Sequence, residues 1–389
     1  MTMNRRRFVG TMCLGGLATF AWPSVSFARV PGRSRLVFVL LRGGVDGLAA
    51  LVPYGDPAYR ALRGSSAFAA GEVTPLDDLF GLAPGLAPLR DLWQQNELVA
   101  IHAMAIPFRT RSHFDGQAIL ETGLSTPAGS ADGWLNRLLQ TMDGRRSGIA
   151  IAAGMPRSLQ GQYEIETWSP AKLGVADDAF LERLATLYRR DPALHGRFET
   201  ALQAASLVGE EPAAGAGPRR GAIVPIMQAA ARILGTDDGP NVAAMEFSGW
   251  DTHANQGAAG GALDRLLGQL ADGLIEFRTG MGAAWPTTTV VVMTEFGRTA
   301  RVNGTRGTDH GTAGAGLVIG PRVARSAIVA DWPGLSDAAL FEGRDLKPTL
   351  DTRAVLKAVV ASSFDLTAAQ TARIFPGSDG VRAASHLMR

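Results

Sequence analysis

The sequence predicts an α/β fold: a mostly parallel sheet with helices on both faces and a helical insertion. Two observations carry that expectation. Short runs that are apolar throughout recur along the chain, and amphipathic helical patterns fall between several of them. A strand without a polar face must be covered on both sides, which is the setting of a parallel sheet flanked by helices. In such sheets ligands sit beyond the carboxyl ends of the strands.

The first segment stands apart from that fold. Residues 1–28 read "MTMNRRRFVGTMCLGGLATFAWPSVSFA", a basic start, a weakly apolar middle and a small-x-small ending at Ala28. The middle, broken by Gly10, Gly15 and Gly16, is too short to span a bilayer. Arg5 and Arg6 followed by Arg7 and Phe8 resemble a twin-arginine export signal. The plainer alternative is an ordinary secretory leader. Either predicts a periplasmic or secreted protein, and the first implies the twin-arginine translocation machinery as a partner. That route carries folded proteins, so a metal can be loaded before export.

Composition narrows the chemistry. The leader holds three of the 38 basic residues and none of the 36 acidic ones, so residues 29–389 are close to neutral. Near neutrality argues against nucleic acid as a partner. Cys13, the only cysteine, lies in the leader. The mature chain therefore has no disulfide, thiolate nucleophile or thiolate ligand, and any metal must be held by nitrogen and oxygen donors. A hydrophobic share of 46% is enough for a full core, and residues 29–389 read as one domain. No stretch beyond the leader is apolar enough for a membrane span.

The apolar runs are 36–41, 98–104, 148–152, 242–247, 288–293 and 316–319. Of the helical patterns, "GWLNRLLQTM" sets Trp134, Leu135, Leu138, Leu139 and Met142 on one face. "ALDRLLGQLADGLIEF" does the same with Leu263, Leu266, Leu267, Leu270, Leu274 and Phe277. Residues 160–240 are helix-rich and charged, then loose at "GEEPAAGAGPRRG", and are expected to form the insertion.

Polar residues of one kind cluster at the ends of these runs. Asp46 follows the first, on the glycine-loosened "LRGGVDGL". Asp251 and His253 follow the run at 242–247 in "SGWDTHANQG". Glu295 follows 288–293 in "TEFGR", and Asp309 with His310 precedes 316–319 in "GTRGTDHGTAGAG". Ser112, His113 and Asp115 open a helix in "AIPFRTRSHFDGQAILETG". Each has a plainer explanation. Asp46 suits a turn, Asp251 can cap one, Glu295 can pair with Arg298 or Arg301, and Ser112 with Asp115 can be a helix cap. Together they offer oxygen and imidazole donors without thiolates, the chemistry of Zn²⁺, Mn²⁺, Ca²⁺ or Mg²⁺. His102, His195 and His386 lie in no such setting.

In chain order the pattern is carboxylate, hydroxyl at a helix start, Asp with His, carboxylate, then His. That order resembles the alkaline-phosphatase, sulfatase and phosphoglycerate-mutase superfamily. More closely, "LRGGVDGL", "RSHFDGQAILETG", "FSGWDTHANQG" and "VVVMTEFGRTARVNGTRGTDHGTAGAG", with the twin-arginine start, resemble the exported domain-of-unknown-function 1501 family placed in it. The resemblance covers about residues 35–375. It implies an alkaline-phosphatase-like fold and a site of one or two divalent ions, Zn or Mn, acting on phosphate or sulfate esters. It also implies that Asp46 and Glu295 hold one ion beside a hydroxyl nucleophile, Ser112, while Asp251, His253 and His310 hold the other. His113, Asp115, Asp309 and Arg298 are additional candidates. Two departures stand out. Glu295 and Phe296 occupy the place of the superfamily's Asp-His pair, which leaves one nitrogen ligand to be supplied by His113. The nucleophile position falls on Thr110, Ser112 or His113, and no formylglycine motif is present.

Two functions compete: an exported metal-dependent hydrolase, and a non-catalytic descendant of that fold binding a small-molecule or polysaccharide ester ligand. A redox protein is suggested by the export route alone, and "GAGLVIG" is not a phosphate-cradling loop that leads into a helix.

Overall fold

The structure is a computed structural model, and it describes residues 34–127, 132–142, 147–169, 178–189, 191, 194–196, 198–199, 202 and 223–389. The expected export leader with Cys13 and the loose segment at 209–221 lie outside the described residues.

The core is a nine-stranded sheet. In chain order its strands are β1 (Arg35–Arg42), β2 (Leu98–Ala105), β3 (Gly148–Ile151), β4 (Glu166–Trp168), β5 (Val242–Ser248), β6 (Thr288–Met293), β7 (Gly314–Ile319), β8 (Ala327–Val329) and β9 (Leu350–Asp351). Across the sheet they run β8-β2-β7-β6-β1-β5-β3-β4, with β9 also on β2. β7 is antiparallel to both neighbours, β2 and β6, and every other pairing in this sheet is parallel. The expected mostly parallel α/β sheet is present.

β1 shows why the apolar runs become strands at the centre. Side chains alternate across a pleat, so Val37, Val39 and Leu41 enter one core and Leu36, Phe38 and Leu40 the other. All six are at most 5% exposed. Burying each is worth about 1.5–3 kcal/mol, which fixes the register of the strand.

The helices divide between the two faces. α1 (Gly47–Ala50) follows β1, α2 (His113–Thr122) follows β2, and α3 (Trp134–Thr141) comes next. α4 (Asp178–Tyr188) and α5 (Ile223–Leu234) precede β5, α6 (Ala262–Met281) precedes β6, and α7 (Thr352–Phe364) with α8 (Ala368–Ile374) closes the chain. α5 and α6 cover the Val37 face. α3, α7 and α8 cover the Leu36 face, where the Trp134 ring meets Phe38 edge-on at 5.3 Å. Within the region expected as a helical insertion the described residues include α4 and α5, but also β4, an edge strand of the main sheet.

Register decides what gathers at one edge. Arg42 pairs with Ser248, and Leu40 with Met293, so β1, β5 and β6 end side by side. The segments after them carry Asp46, Asp251 with His253, and Glu295. β7 runs the other way, so the segment before it, with His310, emerges at that same edge. Gly314 faces Met104 near the end of β2, which leads on to His113. No helix among the described residues is long and apolar enough to cross a membrane.

Candidate metal centre

Three imidazoles meet one carboxylate at this edge. His310 Nε2 lies 2.9 Å from His113 Nε2, 2.9 Å from His253 Nε2 and 3.2 Å from Asp251 Oδ1. Asp251 is also 3.0 Å from His253 Nε2 through Oδ1 and 3.4 Å from His113 Nε2 through Oδ2. Donor atoms of His113, Asp251 and His310 all lie within 4.8 Å of one another. Donors about 2 Å from a shared Zn²⁺ stand roughly 3–4 Å apart, so these spacings fit such an ion.

The other ring nitrogens fix the tautomers. His113 Nδ1 faces Glu295 Oε1 at 2.7 Å, His310 Nδ1 faces the Arg111 carbonyl at 3.0 Å, and His253 Nδ1 faces Asp309 Oδ1 at 3.3 Å. Each partner only accepts, so we assign the proton to Nδ1 in all three rings. The neutral rings then turn lone pairs inward from Nε2, toward each other and toward a carboxylate. Such a set suits a cation at its centre, and its outer hydrogen bonds are those that orient metal-binding histidines. The Glu295 hydrogen bond raises His113, whereas burial, then the nearby His113, lowers His310.

Glu295 is placed behind His113 instead of among the inner donors, which corrects its expected place as a ligand. Its buried carboxylate accepts at Oε1 from the Gly43 amide (2.9 Å), Gln117 Nε2 (3.0 Å) and His113, and at Oε2 from Thr294 Oγ1 (3.0 Å). Burial pushes this carboxyl up, but the hydrogen bonds from His113, from its own backbone, from Gln117 and from Gly43 outweigh that and hold it below the usual range. His113, an additional candidate in the sequence, is among the inner donors. Phe296 packs its ring against His113 and His310 at 4.8 and 5.2 Å.

Asp46 is likewise not brought to the cluster. It is 1% exposed and clamps Arg63 with both oxygens, at 2.5 and 2.6 Å, while Gln256 Nε2 donates to Oδ2 at 2.6 Å. Burial raises its carboxyl, and the charge and hydrogen bonds of Arg63 more than reverse this. Gln256 Oε1 in turn accepts from Thr252 Oγ1 (2.8 Å) and Thr308 Oγ1 (2.9 Å), in the loops that carry Asp251 and His310. Asp46 is therefore the buried base of those loops. The glycines before it serve its neighbours: at Gly43, with φ +129°, a Cβ would stand 2.5 Å from the Asp251 amide nitrogen.

Arg298 is 2% exposed and holds Asp251 from behind. Its Nε donates to Thr308 Oγ1 at 3.2 Å, Nη1 to the Gly43 carbonyl at 3.3 Å and to Asp251, and Nη2 to the Thr308 carbonyl. Burial pushes the Asp251 carboxyl up, and the hydrogen bond and charge of Arg298 hold it below its usual range. With every nitrogen engaged, Arg298 positions Asp251.

Ser112 serves as the α2 N-cap, its Oγ accepting from the Asp115 amide at 3.4 Å. Among the described residues no contact joins the Ser112 hydroxyl or the Asp115 carboxylate to the cluster. Asp309 stands outside it, behind His253, where Asn303 Nδ2 donates to it at 3.0 Å.

Sequence reasoning missed Arg111, Arg63, Gln256 and Gln117. Arg111 adopts φ +58°, an uncommon conformation for a non-glycine residue, and that turn aims its carbonyl at His310. Gln117 carried a usable signal: it lies four residues after His113, on the same helix face.

A family model described as a protein of unknown function (DUF1501) matches residues 93–375. No curated protein sequence matches the chain. Among solved structures it is similar to Ps i-CgsB in complex with k-i-k-neocarrahexaose, at 10% identity over 90% of this chain and 77% of that one, TM-score 0.42. It is also similar to the phosphonate monoester hydrolase of Agrobacterium radiobacter, at 12% identity over 76% and 70%, TM-score 0.34. A 2-O GAG sulfatase aligns at 10% identity over 87% and 72%, TM-score 0.36. Similarity of this degree leaves the chemistry to be argued from the site's own residues.

Proposed function

The chain belongs to the DUF1501 family of proteins of unknown function, and from that premise we propose an exported divalent-metal hydrolase acting on phosphate or sulfate esters. The convergence of three Nε2 lone pairs on the Asp251 carboxylate carries this reading. His113, Asp251, His253 and His310 would hold the ion, and a nitrogen-rich set of this kind favours zinc over manganese. When bound, such an ion supplies Lewis-acid polarisation of an ester oxygen and acidifies water.

The chain's own residues do the rest. Glu295, the Arg111 carbonyl and Asp309 keep each ring proton on Nδ1. Arg298 fixes the carboxylate of Asp251. The side chains of Asp251 and His253 are 41% and 45% exposed, so an ester can reach the centre from solvent. In this reading the attacking group is water, because no contact among the described residues joins the Ser112 hydroxyl to the cluster. Export by the twin-arginine route belongs to the same proposal.

A second reading, a ligand-binding protein that uses the same centre without turnover, draws on one observation. Ser112 and Arg298, the hydroxyl and the cation of the motifs, are both engaged within the protein.

Elemental analysis of the folded mature protein, beside His310→Ala, tests the centre, followed by assays on phosphate and sulfate esters. Bound zinc near one equivalent, lost in His310→Ala, with ester turnover that disappears on chelation, supports the hydrolase. Metal without turnover leaves the binding reading. Absence of metal from the parent after zinc addition sinks both.

A further inference from the structure

The centre lies open, and its two flanks carry different chemistry. On the His113 side, Phe114 is 89% exposed beside one of the proposed metal-holding rings. The packing of α2 falls to Gly116 and residues 118–122, all buried, so the Phe114 ring contributes little to the core. Arg109, just upstream, donates to the carbonyls of Ile106 and Phe108.

On the His253 side stand Asn255 and Arg306. Both adopt left-handed backbone, at φ 48° and 61°, and they are joined by a backbone bridge between Ala254 and Arg306 and by Arg306 Nη2 donating to Asn255 Oδ1 at 2.7 Å. Such conformations are uncommon for non-glycine residues and gather at ligand clamps. Arg306 is exposed, and no carboxylate neutralises it among the described residues. His310 lies between the flanks, its Nε2 2.9 Å from that of His113 on one side and that of His253 on the other.

We propose that this solvent-exposed face binds an anionic saccharide, a chain of sugar rings bearing sulfate or phosphate groups. One ring lies on Phe114, and an anionic group is held at Arg306. The presentation of an ester to the centre rests on the metal-dependent reading above; the two flank contacts do not. An exposed aromatic ring offers a flat apolar face to the C–H face of a sugar, and guanidinium suits the oxygens of sulfate and phosphate. A solvent-exposed face suits an extended chain better than a small ester, which needs a concave pocket to bury most of its surface.

The test measures binding of dextran sulfate, neutral dextran and polyphosphate to the metal-free mature protein, to Phe114→Ala and to Arg306→Gln. The parent should bind dextran sulfate more tightly than dextran or polyphosphate of equal charge. Phe114→Ala should weaken this by about tenfold, and Arg306→Gln should weaken it and flatten its salt dependence. Equal binding of polyphosphate, equal binding of dextran, or a Phe114→Ala affinity within about twofold of the parent overturns the proposal. Dextran sulfate binding by a parent that takes up no zinc upholds it while removing the hydrolase. Zinc uptake without dextran sulfate binding does the reverse.

Discussion

Asp46 and Glu295 are both buried carboxylates at strand ends, and their surroundings assign them opposite tasks. Asp46 neutralises Arg63, itself fully enclosed. Asp46→Asn leaves that guanidinium buried without its charge partner, which should cost about 3–5 kcal/mol in denaturant unfolding of the metal-free protein. Zinc stoichiometry in the folded fraction should stay at the parental value; its loss would show Asp46 to be a ligand. Glu295→Gln acts the other way. A neutral amide holds the His113 Nδ1 proton less firmly, so zinc affinity should fall about 10–100-fold in a chelator-competition titration. Affinity unchanged within threefold would remove Glu295 from that task. The sequence made both carboxylates visible and their distribution invisible, because what separates them is Arg63 and His113, distant partners with no motif of their own. His113 was legible only as a stand-in for a missing nitrogen. The Arg111 carbonyl was not legible at all, since a backbone acceptor leaves no trace in residue type.

At the scale of elements, two loops press backbone to backbone to bring the histidines together. A Cβ on Gly307 would stand 2.2 Å from the His253 carbonyl carbon, and one on Gly311 2.3 Å from that of Arg298. Neither contact is with a flexible side-chain end, so a methyl group must push the loops apart. Gly307→Ala should therefore displace His253 and weaken zinc binding by more than about tenfold, with an overpacking cost of about 1–3 kcal/mol in unfolding. Parental zinc affinity in a folded Gly307→Ala protein would show that His253 is not needed by the ion. Strands were the most readable elements, because a run apolar on both faces has few other places to go. The direction of β7 was not readable: an apolar run looks the same in either sense. That direction nevertheless delivers His310, which precedes its strand, to the edge where Asp251 and Glu295 follow theirs.

Across the whole molecule, two ionisation events set how stability responds to conditions. Burial holds the His102 imidazole down at about 4, from its ordinary 6.5, with Nε2 bonded to the Leu51 carbonyl and Nδ1 accepting from the Ala103 amide. The unfolded chain takes up this proton near pH 6.5 and the folded chain only near 4. Stability from this residue is thus intact above about pH 6.5 and declines as pH falls toward 4, by about 3 kcal/mol. His102→Gln should lose that portion of the slope in chelator-treated samples; an unchanged slope would place its origin elsewhere. The second event is the proposed metal binding. His113 is raised by Glu295, so proton and ion compete for its Nε2, and zinc affinity should fall as pH drops through the His113 titration. The four inner donors come from segments that follow β2 and β5 and precede β7, so an ion that binds only the folded arrangement ties three distant parts of the chain together. At free zinc a hundredfold above its dissociation constant this adds about 2.7 kcal/mol, or roughly 3–4 °C in Tm. Thermal unfolding at neutral pH with and without chelator should show that difference in the parent and none in His310→Ala. Equal midpoints in the parent would mean that the three imidazoles meet for a reason other than a metal.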